Sequence, residues 1–468
     1  MREHFTEQTA IFFSVSKWMV LSSIVGIMIG IIVTLFLKIL HFNIQSHELL
    51  PFHYYYLLPF ILVISVWLIR TFAPTAEGHG TEKVIEAVHK DFGKINLMVI
   101  PIKLLTTVLT IFAGGSVGKE GPAAQIGAGA ASGLSDLLKF TKRDRRKLVI
   151  CGISAGFASV FGTPIAGAIF GVEVLIIGVI MYDVLLPSFV SGFAAFTTTQ
   201  FLGINYTYYD VRFYENVSLD LPLIAEVVLA GIFFGIVTDL FVTINSWGHK
   251  RIKNIKLNPY IKAFLGGVAL IIIASIFGEN YLGLGLDDIK LMLNHGDFAK
   301  DIPWYAFIIK TITTTITLGS GGSGGIITPV FYVGAASGHL IGVYLHEHIA
   351  LFSALGFVSV LAGATNAPIA ATIMAVELFG LEIAHYAALS AVISFLITGH
   401  RSVFSSQILA MKKSEILSIK IGQEIEKTRV QLQDKEAHQI QRMKDKLQKK
   451  RKKLNEDRKK NKSKRAKK

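Results

Sequence analysis

Glu120 stands in Gly118-Lys119-Glu120-Gly121-Pro122, a carboxylate set among glycines and followed by proline and an apolar, helix-forming run. Proline fits the opening turn of a helix, where its missing N–H costs nothing, so the motif reads as a helix start leaving a loop. A first turn carries unpaired N–H groups and the positive end of the macrodipole, which hold a negative ion without a buried cation. A partial charge also releases its ion, as conduction requires. Ionised, the Glu120 side chain would take such an ion's place; protonated, it would swing away and admit one, which ties anion passage to pH or proton movement. Gly118 and Gly121 supply open backbone at this site, and Lys119 reads as a rim lysine.

The elements that must position this motif occur twice. Gly114 to Pro122 (GGSVGKEGP) is echoed by Gly321 to Pro329 (GGSGGIITP), with Lys103 and Lys310 each 19 residues before the proline. Pro164 to Glu173 (PIAGAIFGVE) is likewise echoed by Pro368 to Glu377 (PIAATIMAVE), about 205 residues later. The chain therefore reads as two copies of one unit, at residues about 10–203 and 221–405. Duplicated halves with Gly- and Pro-interrupted apolar segments at matching places point to a transport site at the repeat interface near mid-membrane. The runs GAGAASG and GAASG downstream of the two loops read as close helix packing between small residues.

Composition fixes the medium. Of 468 residues, 51% are hydrophobic and 17% charged, with a mean hydropathy of +0.51. That is far from the roughly one-quarter charged content of soluble domains. Apolar stretches near the 20 residues needed to cross a bilayer recur throughout, and the first, from Ala10 to Leu40, is too long for a cleaved signal and reads as retained. The net charge of +14 lies in the tail: residues 411–468 hold 22 Lys and Arg against 8 Asp and Glu. A basic tail after the last apolar segment reads as positive-inside topology, with a cytoplasmic C-terminus drawn to anionic lipid, and not as a nucleic-acid surface. Ile440, Leu447 and Leu454 recur there at heptad spacing and suggest a helix. The single cysteine, Cys151, allows no internal disulfide, and no metal-ligand spacing occurs.

With GKEGP at Gly118 to Pro122, GGIITP at Gly324 to Pro329 and the Gly78-His79-Gly80 turn, the sequence resembles the CLC family of chloride channels and proton-coupled chloride transporters. Lys103 in PIKLL and the stretches ending at Glu173 and Glu377 also resemble family segments in order and spacing, so the likeness spans nearly the whole body. The resemblance implies an all-α integral membrane fold, an antiparallel (inverted) repeat of tilted and broken helices. It also implies a homodimer with one pore per subunit in the cell membrane, Glu120 as the gating glutamate, and no enzyme activity. Chloride or another small anion is the substrate, with protons a second candidate, and no cofactor is implied.

The carried-over anion site comprises His79, Gly80, Gly118, Lys119, Gly121, Gly325, Ile326, Ile327 and Phe404. It departs from the family pattern in three places. His79 stands where a serine hydroxyl usually meets the central anion; either its imidazole holds the halide or the neighbouring amides do. The second loop loses its aromatic residue and leaves the amides of Ile326 and Ile327. Phe404 stands nearest the usual tyrosine, so that donor is missing, and each lost donor weakens anion binding by about 1 kcal/mol. Val174 takes the place of an inner proton-accepting glutamate, which favours a channel over a proton-coupled exchanger. Glu173 and Glu377 read either as a proton relay or as carboxylates pinning helix ends. An unrelated solute carrier would show a larger polar pocket, and an intramembrane hydrolase would place a base near Ser116 or Ser323. The 58-residue tail is too short for the nucleotide-binding domains that many family members append.

Overall fold

The computed structural model describes residues 2–45, 47, 51–206, 221–293, 302–346, 348–428 and 431–432. Sixteen α-helices lie among them. The first half runs α1 (Arg2–Gln45), α2 (Leu58–Phe72), α3 (Thr81–Lys90), α4 (Val99–Phe112), α5 (Glu120–Leu137), α6 (Lys142–Phe161), α7 (Pro164–Glu173) and α8 (Tyr182–Phe201). The second repeats that order as α9 (Leu221–Asn254), α10 (Pro259–Phe277), α11 (Leu286–Leu293), α12 (Ala306–Gly319), α13 (Ile327–Leu345), α14 (Ile349–Thr365), α15 (Pro368–Phe379) and α16 (Ala384–Ile397).

Six helical stretches among the described residues are long and apolar enough to cross a membrane, including Thr6–Gln45 and Leu221–Asn254. Others are too short. At 1.5 Å per residue, the 10 residues of α7 reach only about 15 Å, half of a hydrocarbon core, so its ends fall inside the protein. Backbone ends at that depth must find partners in protein. In α7 and α15 the partners are carboxylates of the opposite repeat, described below.

Small residues allow the close approach of paired helices. A Cβ on Gly127 of α5 would lie 2.5 Å from the Gly152 carbonyl of α6, and one on Gly152 would lie 2.7 Å from the Gly127 carbonyl. Gly334 of α13 meets Gly356 of α14 in the same way, so both repeats build the same hairpin. The core is apolar and continuous across the halves: Phe161, in ring contact with Phe157 of its own half, meets Phe331 of the other, which stacks on Phe357.

The halves are also joined by hydroxyls at related positions. The Ser116 amide donates to Thr317 Oγ1 at 3.2 Å, and the Ser323 amide to Thr110 Oγ1 at 3.2 Å. Each serine hydroxyl then bonds a threonine of the other half, Ser116 to Thr314 at 3.0 Å and Ser323 to Thr106 at 2.9 Å. Neither faces a histidine or carboxylate in these contacts.

After α16 the chain returns to the first repeat. Strand β1 (Ile176–Ile177) pairs in parallel with β2 (Ile408–Leu409), while β3 (Leu417–Ser418) pairs antiparallel with β4 (Gln431–Leu432). Residues expected to open the basic tail remain on the body. Lys413 Nζ donates to Asn366 Oδ1 and to the Phe395 carbonyl, both at 2.6 Å, and so satisfies groups left open at helix C-terminal ends. The heptad positions Ile440, Leu447 and Leu454 lie outside the described residues.

Candidate anion site

Two glycine loops bring α5 and α13 nose to nose. Gly114 and Gly321, at matching positions, take φ of +88° and +98°, a backbone region open chiefly to glycine, and turn the chain out of α4 and α12. The following amides fold back, Gly115 on the Thr110 carbonyl at 2.7 Å and Gly322 on the Thr317 carbonyl at 2.8 Å. The loops then pair with one another: the Gly118 amide donates to the Gly325 carbonyl at 2.7 Å, and the Gly325 amide to the Gly118 carbonyl at 2.6 Å. This corrects the expectation that Gly118 and Gly325 face an anion with their amides. Each spends its N–H in joining the repeats, because irregular backbone at this depth must be satisfied within the protein.

The start of α3 joins the same point. Lys103 Nζ donates to the carbonyls of Ala76, at 3.0 Å, and Gly78, while Gln125 Nε2 holds the Thr75 carbonyl at 2.9 Å. These contacts fix the Gly78-His79-Gly80 turn. A Cβ on Gly121 would meet Gly325 Cα at 3.1 Å and the Gly80 amide nitrogen at 3.6 Å, so one glycine touches both neighbouring helix starts. Three positive helix ends therefore converge, from α3, α5 and α13, which is an arrangement suited to a desolvated anion.

Glu120 occupies that convergence. Only 1% exposed, its carboxylate crosses to the opposite repeat, where Oε1 accepts the Thr328 hydroxyl at 2.5 Å and Oε2 the Thr328 amide at 3.2 Å. It thus sits on the first turn of α13, as a bound anion would. The Ile326 and Ile327 side chains are buried beside it at the head of α13, and Lys119 is half-buried.

His79 and Phe404 lie on another side of the site, their rings 5.8 Å apart between centroids and tilted by 44°. Phe404 is fully buried, and His79 Nδ1 is enclosed with no hydrogen-bond partner among the described residues. An enclosed ring nitrogen beside a helix start is a polar group that an anion could satisfy when the nitrogen carries hydrogen.

Glu173 and Glu377 lie elsewhere, in a reciprocal pair of helix caps. Glu173 accepts the Ile369 and Ala370 amides of α15 at 3.1 and 2.8 Å; Glu377 accepts the Ile165 and Ala166 amides of α7 at 3.0 and 2.7 Å. Each ties the C-terminal end of one short helix to the N-terminal end of its counterpart. Val174, next in the chain, is buried, and its carbonyl accepts Gln407 Nε2 at 2.7 Å.

Sequence reasoning missed Thr328. Its signal was the repeat itself: aligning Pro122 with Pro329 places Thr328 where the first copy has Gly121, a hydroxyl in place of bare backbone. It also missed Glu82, which meets Ser405 and Ser406 some 320 positions later. No local pattern marks that contact.

An inverted pair of helical repeats whose helix starts converge on a buried carboxylate defines a membrane protein for moving anions. Residues 60–399 match the family described as voltage gated chloride channel, and the chain belongs to that family, the CLC anion transporters and channels. It is 34% identical over 406 residues to the chloride/fluoride channel protein of Pseudomonas syringae pv. tomato, covering 85% of this chain and 88% of that one. Its fold is similar to the crystal structure of a CLC-type fluoride/proton antiporter, with a TM-score of 0.79 and 29% identity, covering 85% of this chain and 99% of the other. A slow cyanobacterial chloride/proton antiporter shares the fold at a TM-score of 0.69 and 20% identity.

Proposed function

We propose that this protein is a channel for small halides, chloride and fluoride, with Glu120 as its gate. The observation that carries the reading is the Glu120 carboxylate seated on the Thr328 amide and hydroxyl, at the head of α13. In this state the carboxylate fills the anion's place. Protonation removes its charge, weakens both bonds and frees the helix starts for a halide. Uncoupled passage is favoured because Val174 offers no carboxylate where the family resemblance puts an inner proton acceptor, and the Glu173 and Glu377 carboxylates are each taken by two helix amides. No cofactor takes part, and the halide is cargo. The reading extends to a homodimer in the cell membrane, with one path per subunit and the basic C-terminal region in the cytoplasm, where the positive-inside rule puts it.

Proton-coupled exchange on the same path is the second reading. It is favoured by the likeness to the fluoride/proton antiporter over 99% of that chain. Chloride and fluoride efflux from proteoliposomes, with external pH recorded and no protonophore, separates the two. Efflux that needs only a potassium shunt and moves no protons supports the channel. Efflux that drives protons uphill supports exchange, and no halide flux of either kind overturns both.

A further inference from the structure

A second carboxylate, half-buried, stands at one of the convergent helix starts. Glu82, in the first turn of α3, reaches the segment that follows α16. Its Oε1 accepts the Ser405 hydroxyl at 2.7 Å, the Ser406 amide at 3.0 Å and the Ser406 hydroxyl at 2.7 Å. Its Oε2 is enclosed and accepts no hydrogen bond among the described residues. Three donors on one oxygen and none on the other is an uneven arrangement for a carboxylate, whose charge is shared by both.

The position matters more than the imbalance. Glu82 lies three residues from His79 and its serine partners directly follow Phe404, the two residues whose rings face one another at the anion site. The carboxylate therefore clamps α3 to the segment that carries Phe404. That segment is backed in turn by residues 424–428: the Ile425 amide donates to the Gln407 carbonyl at 2.9 Å and the Glu426 amide to the Ser405 carbonyl at 3.2 Å.

Among the described residues no cation pairs with Glu82. Lys83, next to it on α3, is 3.0 Å from Glu86, and Lys90 at the far end of α3 lies 2.9 Å from Glu86 and 3.5 Å from Glu424. From α4, Lys103 is spent on the Ala76 and Gly78 carbonyls, and α5 contributes Lys119 and Glu120. Behind the serines stand Glu424 and Lys427, paired with one another at 2.9 Å. Glu82 is thus a carboxylate held by two hydroxyls and an amide rather than by an ion pair.

We propose that Glu82, Ser405 and Ser406 form a second gate on the tail side of the anion path, closed while the carboxylate holds both serines and opened when it takes a proton. The inference rests on the anion path described under the proposed function and holds for a channel or an exchanger. An ionised Glu82 closes the clamp and repels an entering halide; a neutral one loses the charge that strengthens its three bonds and lets the Phe404 segment move from His79.

The test is halide current through oriented membrane patches, with pH varied on the tail side and on the opposite side in turn, for wild type, Glu120→Gln, Glu82→Gln, Ser405→Ala/Ser406→Ala and Glu120→Gln/Glu82→Gln. Glu120→Gln is expected to keep a dependence on tail-side pH, and the double glutamine variant to lose it. The two-serine variant, which leaves both carboxylates in place, is expected to conduct more at neutral tail-side pH. Tail-side dependence that is absent in Glu120→Gln, or unchanged in the double glutamine variant, overturns the second gate. Failure of Glu120→Gln to alter the response to opposite-side pH would instead count against Glu120 as the first gate, a separate result. If Glu82→Gln does not fold, the serine variant decides: conduction equal to wild type at every tail-side pH overturns the proposal.

Discussion

Replacing Thr328 by valine removes one hydroxyl and nearly preserves the side chain's shape. The residue is 1% exposed, and its hydroxyl is 2.5 Å from Glu120 Oε1. Its amide, 3.2 Å from Oε2, is untouched by the change. A hydrogen bond to a charged group contributes about 1.5–3 kcal/mol, and the apolar replacement leaves a buried carboxylate oxygen unpaired. The docked, ionised form of the gate loses that amount relative to the open form. The ratio of closed to open should therefore fall about 10- to 150-fold. Because the lost bond favoured the ionised form, the protonated and open form persists to higher pH, and the profile of flux against pH should move up by about one to two units. Halide efflux from proteoliposomes, measured across pH for wild type and Thr328→Val, reads both quantities. A profile that stays in place, or that moves to lower pH, refutes the assignment of Thr328 as the latch of Glu120.

Further outcomes follow from the same geometry. A Cβ at Gly118 would lie 2.6 Å from Thr328 Oγ1 and still closer to Glu120 Oε2, so Gly118→Ala should push the carboxylate off α13 and give halide flux that varies little with pH on the side opposite the tail. Glu173→Gln and Glu377→Gln each weaken two bonds to helix amides across the repeats. Each should lower stability by about 1–3 kcal/mol, read as earlier thermal unfolding in detergent, and the two losses should be of similar size because the contacts are repeat-related. On the tail side, Lys427 at 2.9 Å, helped by Lys90 at 3.5 Å, holds the Glu424 carboxyl below the usual carboxylate range. A depressed value means a contribution present above the ordinary value and lost as pH falls through the depressed one. Hydrogen exchange in residues 405–428 should accordingly rise on acidification below about pH 4.5, and Glu424→Gln should remove that acid step.

The membrane class, the duplication and the carboxylate at a helix start were all legible in the chain, because each is recorded in local composition or in a motif repeated at fixed spacing. Apolar stretches needed only counting, GGS loops ending in proline appeared twice, and Glu120 stood alone among glycines. The small-residue runs were legible too, and Gly127 against Gly152 shows why a larger side chain has no room there. The two roles left open for Glu173 and Glu377 could not be separated in the sequence, since a carboxylate capping an amide and one relaying a proton are the same residue type. Their reciprocal bonds to α15 and α7 became visible only when residues about 200 positions apart were brought together.

What the sequence determined by itself is therefore the medium, the repeat and the residue types available at each helix start. What the tertiary structure decided is which donors are free. The amides of Gly118 and Gly325 look open in sequence and are consumed by each other. Thr328 looks like an ordinary helix-start residue and holds the Glu120 carboxylate of the opposite repeat. Glu82 looks like a surface position on a short amphipathic helix and instead bonds two serines beyond α16. The physical reason is common to all three. A buried polar group must find a partner, and in an inverted repeat that partner comes from the opposite half of the chain, at a separation no local pattern encodes.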